Sequence, residues 1–465
     1  MLPDRGPLKM TLRKAWPPAV SAIVLIAASF ACTRPAKPPN VLLIVVDTLR
    51  ADHLGCYGYS RNTSPNIDGL SERSTLYTRA MSSAPWTVPS HGSMFTGLNP
   101  FEHGAHTCKP ETPQECVFPL PERHTTLAEV LRDRGYRTAG YVANAAYLNE
   151  FYQLDQGFES WNVAYARADQ VTSAGLSWVE KHREEPFFLF LNYMDTHQVY
   201  NTSERPGLLE EPAAHGGALL DELIAAVLPG NEVPADLARQ VIDQYDTGIA
   251  NADHALGELF EGLRHLDLFD ETVVVITSDH GEYFGEHLLV EHSKDVYQPA
   301  QWVPLIVHTP GQDRGQRIDT TASSTDVPHL IVSEFPDPMR AELVALFPNA
   351  PGNHIVISEN YYSRSNDLYD ERWGHRFDRV RTAIYDWPHK YIRSSDGHHE
   401  LYSLDTDPDE AANLYAEGDP LSLKLSAELA SFQAASLENI ELSAEPPPEM
   451  TEELREQLRS LGYLN

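Results

Sequence analysis

Six consecutive apolar residues, V-L-L-I-V-V at 41–46, run directly into a carboxylate, Asp47. No other feature limits the fold as strongly. An unbroken run of aliphatic residues has no polar face, so it reads as a strand buried on both sides of a parallel sheet. F-F-L-F-L at 187–191 and V-V-V-I at 273–276 repeat the signal, and V-P-L-I-V at 303–307 is a shorter fourth run. Helical patterns lie between them: T-L-A-E-V-L-R-D-R at 126–134, with Gly135 as its C-cap, and a long one over 237–266. Strands alternating with helices predict an α/β fold, a mostly parallel central sheet flanked by helices. In such sheets, sites form beyond the carboxyl ends of the strands.

The ends of the chain have a different texture. Arg13 and Lys14 precede an apolar run over 19–31 that meets Cys32. This is the charged start and short apolar stretch of an export signal, too short for a membrane span. Residues 1–32 are therefore read as a signal segment, with Met10 as an alternative start. Cleavage before a lipidated Cys32 would attach the chain to a membrane, and plain cleavage would release it. The expected location is exported: periplasmic, membrane-anchored or secreted. Residues 33–39 read as a Pro-rich linker, 40–352 as the main domain, and 353–465 as a small C-terminal α+β subdomain. Its strand candidates are 355–358, 381–385, 389–393 and 400–404, and a helix is expected within 446–464. The acidic stretch 205–235 reads as a surface insertion or lid. In an exported chain, Cys108 and Cys116 can close a small loop, leaving Cys56 unpaired and packed. The formal net charge of −32 excludes a basic nucleic-acid footprint, so no nucleic-acid partner is expected.

Chemistry gathers at the predicted strand ends. Asp47 follows the first run, and Asp279 and His280 follow the third in T-S-D-H-G-E. Taken singly these are cap or turn residues. Taken together they offer carboxylate oxygen and imidazole nitrogen at one sheet edge, a donor set for a divalent metal. Thr87, in P-W-T-V-P-S-H-G-S-M-F-T-G, sits where a loop enters a helix, whose N-terminus attracts anions. Its hydroxyl reads either as an N-cap or as a metal-activated nucleophile. His197 follows the second run in M-D-T-H, and His292 and Lys294 follow the D-H pair in V-E-H-S-K-D. Such cationic groups can clamp an oxyanion or protonate a leaving oxygen.

Several long motifs occur in one order: V-L-L-I-V-V-D-T-L-R-A-D-H-L-G-C-Y-G-Y, T-V-P-S-H-G-S-M-F-T-G-L-N-P, L-N-Y-M-D-T-H, S-D-H-G-E-Y-F-G-E-H and H-H-E-L-Y-S-L-D-T-D-P-D-E-A-A-N-L. The chain resembles the sulfatase family of the alkaline-phosphatase superfamily over nearly all of its length beyond the signal. The resemblance implies an alkaline-phosphatase-like fold and a hydrolase of sulfate or phosphate/phosphonate esters. It places Asp47, Thr87, Asp279 and His280 at one divalent metal, calcium by likeness, with manganese or zinc also suited to the donors. Thr87 takes the nucleophile position, His91 the place where Arg usually follows, and His197 a catalytic, substrate-contacting place. His292 and Lys294 are implied as substrate-binding. The partner would be a small-molecule, glycan or lipid ester. A second metal on Asp195, His197 and His292 stays open, as do a phospho-group transferase of an envelope lipid or glycan and a non-catalytic anion- or glycan-binding protein.

Two departures bear on the activity. Sulfatases carry Cys or Ser, converted to formylglycine, where this chain has Thr87. Their G-K-W-H-L-G segment, which supplies a Lys and a His to the sulfate, is replaced by A-G-Y-V-A-N-A-A at 139–146. Threonine is the nucleophile in relatives that handle phosphate.

Overall fold

The strand Asn40–Val46 lies at the middle of an eight-stranded sheet, and all seven of its residues are buried. Its side chains alternate between two cores. Leu42, Ile44 and Val46 join one apolar cluster, and Val41, Leu43 and Val45 the other. That is why the run has no polar position: a central strand covered on both faces has no solvent side.

The structure is a computed structural model. It describes residues 37–109, 116–198, 200, 217–228, 233–363, 365–437, 450–452 and 454–456. The signal segment, most of the linker, the greater part of the acidic 205–235 stretch and about two thirds of the 446–464 segment in which a helix is expected lie outside these residues. Among the described residues no helix is long and apolar enough to cross a membrane.

In spatial order the sheet runs Gln316–Ile318, Thr75–Tyr77, Leu305–His308, Thr272–Thr277, Asn40–Val46, Phe187–Tyr193, Arg137–Val142 and Ser160–Val163. Seven strands are mutually parallel, and Leu305–His308 alone runs against its neighbours. The fourth apolar run therefore departs from the parallel pattern of the first three, and it divides at Pro304 into Trp302–Val303 and Leu305–His308. Proline donates no hydrogen bond, so the ladder breaks there. Helices Ala168–His182 and Ala235–His265 pack together over one face. The expected helix near 126–134 is Leu127–Arg132, capped by the Thr126 side chain and followed by Gly135 in the left-handed conformation.

The C-terminal region builds its own antiparallel sheet of Val356–Tyr361, Val380–Asp386, His389–Ser394 and Glu400–Ser403. Helix Pro420–Leu437 packs on it, with Ile357, Ile384, Leu401, Leu425 and Leu429 in a third apolar cluster. The sheet is pinned to the segment after His292. Asp295 pairs with Arg379 and Arg381, and the Lys390 ammonium donates to the Val296 carbonyl, 2.6 Å away. Cys108 and Cys116 form the disulfide, and Cys56 is free and half-buried.

Candidate active site

Four strand ends supply the site from one edge of the sheet. Asp47 leaves the central strand with its N–H still bonded to the Tyr193 carbonyl, 2.9 Å away. Thr48 then takes a left-handed φ of 58°, a strained state for a β-branched residue. This turn aims the Thr48 N–H at Asp279 Oδ1, 3.2 Å away, and ties the first strand end to the third. Asp279 is fixed from behind, where the Ser90 hydroxyl donates to its carbonyl at 2.6 Å and Ser82 donates to the same oxygen.

Asp47, Asp279 and His280 are all fully buried, and one ligand atom from each lies within 4.8 Å of the others. Asp47 Oδ1, Asp279 Oδ2 and His280 Nε2 have no hydrogen-bond partner in the protein. Burial, then the charge of Asp279, raises the Asp47 carboxyl to about 6, and burial raises Asp279 to about 7. Burial holds His280 below its ordinary value. Its Nδ1–H donates to the Gly281 carbonyl at 2.9 Å, which leaves the Nε2 lone pair available. Two oxygens and a nitrogen, orphaned and converging, fit a divalent cation of intermediate hardness. Among the described residues no second such group gathers, so Asp195, His197 and His292 do not form one.

Thr87 is the first residue of helix Thr87–Thr96 and is almost completely buried. Its Oγ lies 3.4 Å from Asn144 Nδ2, which also donates to Asp47 Oδ2 at 2.9 Å. His91 stands one turn into the same helix. Its Nδ1–H donates to the Thr87 carbonyl at 2.9 Å, and Nδ1 lies 3.7 Å from Asp279 Oδ2. Burial depresses His91 to about 3, so it is neutral, packed edge-on against Phe95 and Phe190. It supports the helix that Thr87 opens and is poorly placed to supply a proton.

His280, His292 and His197 form a row of imidazoles, with ring centroids 4.6 and 5.0 Å apart. Glu282 Oε1 lies 3.1 Å from His292 Nδ1 and orients that ring. Lys294 sits apart in its bonding. Its ammonium is 2.7 Å from Glu291 and 3.2 Å from Asp367, so its charge is engaged by two carboxylates.

Sequence reasoning missed Asn144. It follows strand Arg137–Val142, the one strand-end segment of the site that carried no apolar run. Its backbone N–H donates to Asn192 Oδ1 at 2.9 Å, and its side-chain amide accepts from Tyr147 N through Oδ1 at 3.0 Å while Nδ2 faces the cluster.

The chain is 26% identical over 264 residues to human N-acetylgalactosamine-6-sulfatase, covering 53% of this chain and 50% of that protein. It thus spans about half the length of the curated relatives of that kind. It is 24% identical over 467 residues to human arylsulfatase K, covering 86% of this chain and 83% of the relative. The phosphonate monoester hydrolase of Agrobacterium radiobacter shares the fold, with a TM-score of 0.66, 20% identity, and coverage of 89% of this chain and all of that one. The model of the sulfatase family matches residues 39–334, which contain the central strand, the Thr87 helix and every residue of the buried donor cluster, and on that match the chain belongs to the sulfatase family.

Proposed function

We propose that this chain is a metal-dependent hydrolase of sulfate or phosphate/phosphonate esters, with Thr87 as nucleophile and phospho esters as its better substrates. One observation carries the reading: Asn144 Nδ2 bridges Asp47 Oδ2 at 2.9 Å and Thr87 Oγ at 3.4 Å, so the only side-chain hydroxyl on that bridge sits beside the donor cluster. A divalent cation held by Asp47, Asp279 and His280 would supply Lewis acidity toward the ester oxygens and lower the pKa of the Thr87 hydroxyl. The helix N-terminus at Thr87 favours negative charge on Oγ and on the transferring group. Asn144 holds Oγ in place. The Thr87 oxygen forms a bond to phosphorus as its proton passes to water, the ester P–O bond breaks, and His197 or His292 gives a proton to the departing oxygen. Water then attacks phosphorus, releasing phosphate and restoring the hydroxyl.

The nucleophile also argues for which ester is cut. Formylglycine hydrate expels sulfate through its second hydroxyl, and threonine has only one. A threonine sulfate has no such exit, whereas a phosphothreonine is open to in-line attack by water. The names of two similar proteins, an arylsulfatase and a phosphonate monoester hydrolase, span this same choice.

The test is a panel of aryl sulfate, phosphate mono- and diester and phosphonate monoester with calcium, manganese or zinc added. Phospho esters should turn over at least about tenfold faster, roughly 1.4 kcal/mol in the barrier. Thr87→Ala should abolish turnover and Thr87→Ser should retain it. Undiminished activity of Thr87→Ala would exclude the nucleophile. Sustained sulfate release at a comparable rate, with Thr87 unmodified, would reverse the preference.

A further inference from the structure

Asp47 opens a turn whose backbone does not hold its shape unaided. Thr48, the next residue, stands at a φ of 58°, which a β-branched residue keeps only where its surroundings enforce it. The enforcing group comes from helix Ala235–His265, far along the chain. The Tyr245 hydroxyl donates to the Thr48 carbonyl at 2.7 Å and accepts the Arg50 N–H at 2.8 Å. One oxygen thus closes both ends of the turn. A phenol can donate and accept together only while protonated, and burial keeps the Tyr245 pKa well above its ordinary value.

The helix is shaped to bring that hydroxyl in. Tyr245 is fully buried, with its ring 4.9 Å from Phe284 and 5.1 Å from His53 between centroids. Gly248 lies one turn on along the same helix face. A Cβ there would meet the Asp195 carbonyl oxygen at 2.1 Å, so glycine lets the helix lie directly against the Asp195–Thr196 backbone. A mid-helix glycine is otherwise unfavourable. The Thr196 carbonyl placed there accepts from Thr48 Oγ1 at 2.8 Å, and Thr196 Oγ1 donates back to the Asp47 carbonyl. The helix therefore grips the turn directly through Tyr245 and indirectly through Thr196.

This grip bears on the donor cluster. In the left-handed state the Thr48 N–H reaches Asp279 Oδ1 at 3.2 Å. Asp279 Oδ2 is then left 3.4 Å from His280 Nε2, which lies 3.9 Å from Asp47 Oδ1. If Thr48 relaxed to a negative φ, the peptide joining it to Asp47 could not keep both its bond to Asp279 and the onward path of the chain. We propose that Tyr245 is a positioning residue for this cluster, its hydroxyl holding the Thr48 turn so that Asp47 and Asp279 converge before a cation arrives. The proposal rests on the reading of the cluster as a divalent-metal site. Tyr245 acts on the ligands through the backbone and is not itself a ligand.

The test is the manganese(II) affinity of the full-length protein, read by competition with a chelating dye. Tyr245→Phe keeps the ring, removes only the hydroxyl, and should weaken binding about tenfold. Tyr59→Phe is the control: its hydroxyl donates to Asp246 Oδ2 on the same helix at 2.7 Å rather than to the turn. It should stay within about twofold of wild type. Glycine holds a left-handed φ without help, so in a Thr48→Gly background the loss from Tyr245→Phe should shrink to about threefold or less. A merely structural hydroxyl would lower the melting temperature and leave the affinity of the folded protein intact. Unchanged affinity in Tyr245→Phe, an equal loss in Tyr59→Phe, or an undiminished loss in the Thr48→Gly background would overturn the proposal. Wild type that binds no manganese would sink the metal reading and the proposal with it. No arm uses ester hydrolysis, so failure of the Thr87 reading leaves the test intact. If Tyr245→Phe does not fold, amide exchange of metal-free wild type decides: the Thr48 and Arg50 amides should already be protected, and protection that appears only with manganese would overturn the proposal.

Discussion

Asn144→Ala removes one side chain that no charge or metal-ligand argument would single out. Its amide donates to Asp47 Oδ2 at 2.9 Å and lies 3.4 Å from the Thr87 hydroxyl, with no solvent exposure. A hydrogen bond to a charged group contributes about 1.5–3 kcal/mol. Taking about 2 kcal/mol, and 1.36 kcal/mol per decade, the loss is ~30-fold. This falls inside the roughly 10–100-fold expected when a group that orients a metal ligand is deleted. The variant should lose that factor in metal affinity, read by competition with a chelating dye, and a similar or larger factor in kcat/KM for an aryl phosphate or phosphonate. Asn144 also accepts the Tyr147 N–H at 3.0 Å, so some thermal stability goes with it, about 0.5–1.5 kcal/mol. A purely structural role would lower the melting temperature and leave the metal affinity of the folded protein intact. Metal affinity and kcat/KM both within twofold of wild type would refute the bridging role.

The ion pair of Lys390 and Glu410 has both side chains fully buried, 2.6 Å apart. Glu410→Gln leaves an unpaired buried ammonium and should destabilise by about 3–5 kcal/mol in denaturant unfolding, whereas Lys390→Met with Glu410→Leu should recover most of it; a single variant as stable as wild type would remove the pair's role in seating the C-terminal sheet. Burial opposes charge on His354, yet the hydrogen bond and charge of Asp326 outweigh it and hold its pKa above the ordinary 6.5. The stability from this pair is present in full below pH 6.5 and is lost as the pH rises through the folded value. His354→Gln should flatten the fall in stability across that window, and an unchanged pH profile would exclude the contribution.

What the sequence made legible follows from burial. The 41–46 run could be read because a strand covered on both faces can hold only apolar residues, and Asp47, Asp279 and His280 could be read because each follows such a run. The strand before Asn144 could not. It reads R-T-A-G-Y-V, and a side chain at Gly140 would meet the Trp161 ring at 2.3 Å, so the neighbour's indole fills the space its own residues leave. Its weak pattern hid the strand end and the residue after it. The reversed direction of Leu305–His308 was equally hidden, because an apolar run has the same composition whichever way it points. Lys294 was read as a free cation because its second partner, Asp367, lies 73 positions away, beyond any local pattern.

The same burial argument says why the donor cluster is where chemistry belongs. Full enclosure penalises the charged form of both carboxylates: burial pushes Asp279 to about 7, and burial, then the charge of Asp279, pushes Asp47 to about 6. Nothing in the packing asks for them. Alanine or serine could end either strand, and the Ser82, Ser90 and Thr48 bonds show how many donors are instead assembled around Asp279. Asp47 Oδ1, Asp279 Oδ2 and His280 Nε2 remain without a hydrogen-bond partner after all of them. Three such atoms converging in one fully enclosed place are unfavourable for charged groups left alone and fit a cation among them. Thr87 and Asn144 stand at that place through a helix N-terminus and a strand end that are separate in sequence. The four segments carrying Asp47, Thr87, Asn144 and Asp279 share no local pattern, and what unites them is a single centre of charge that each is built to face.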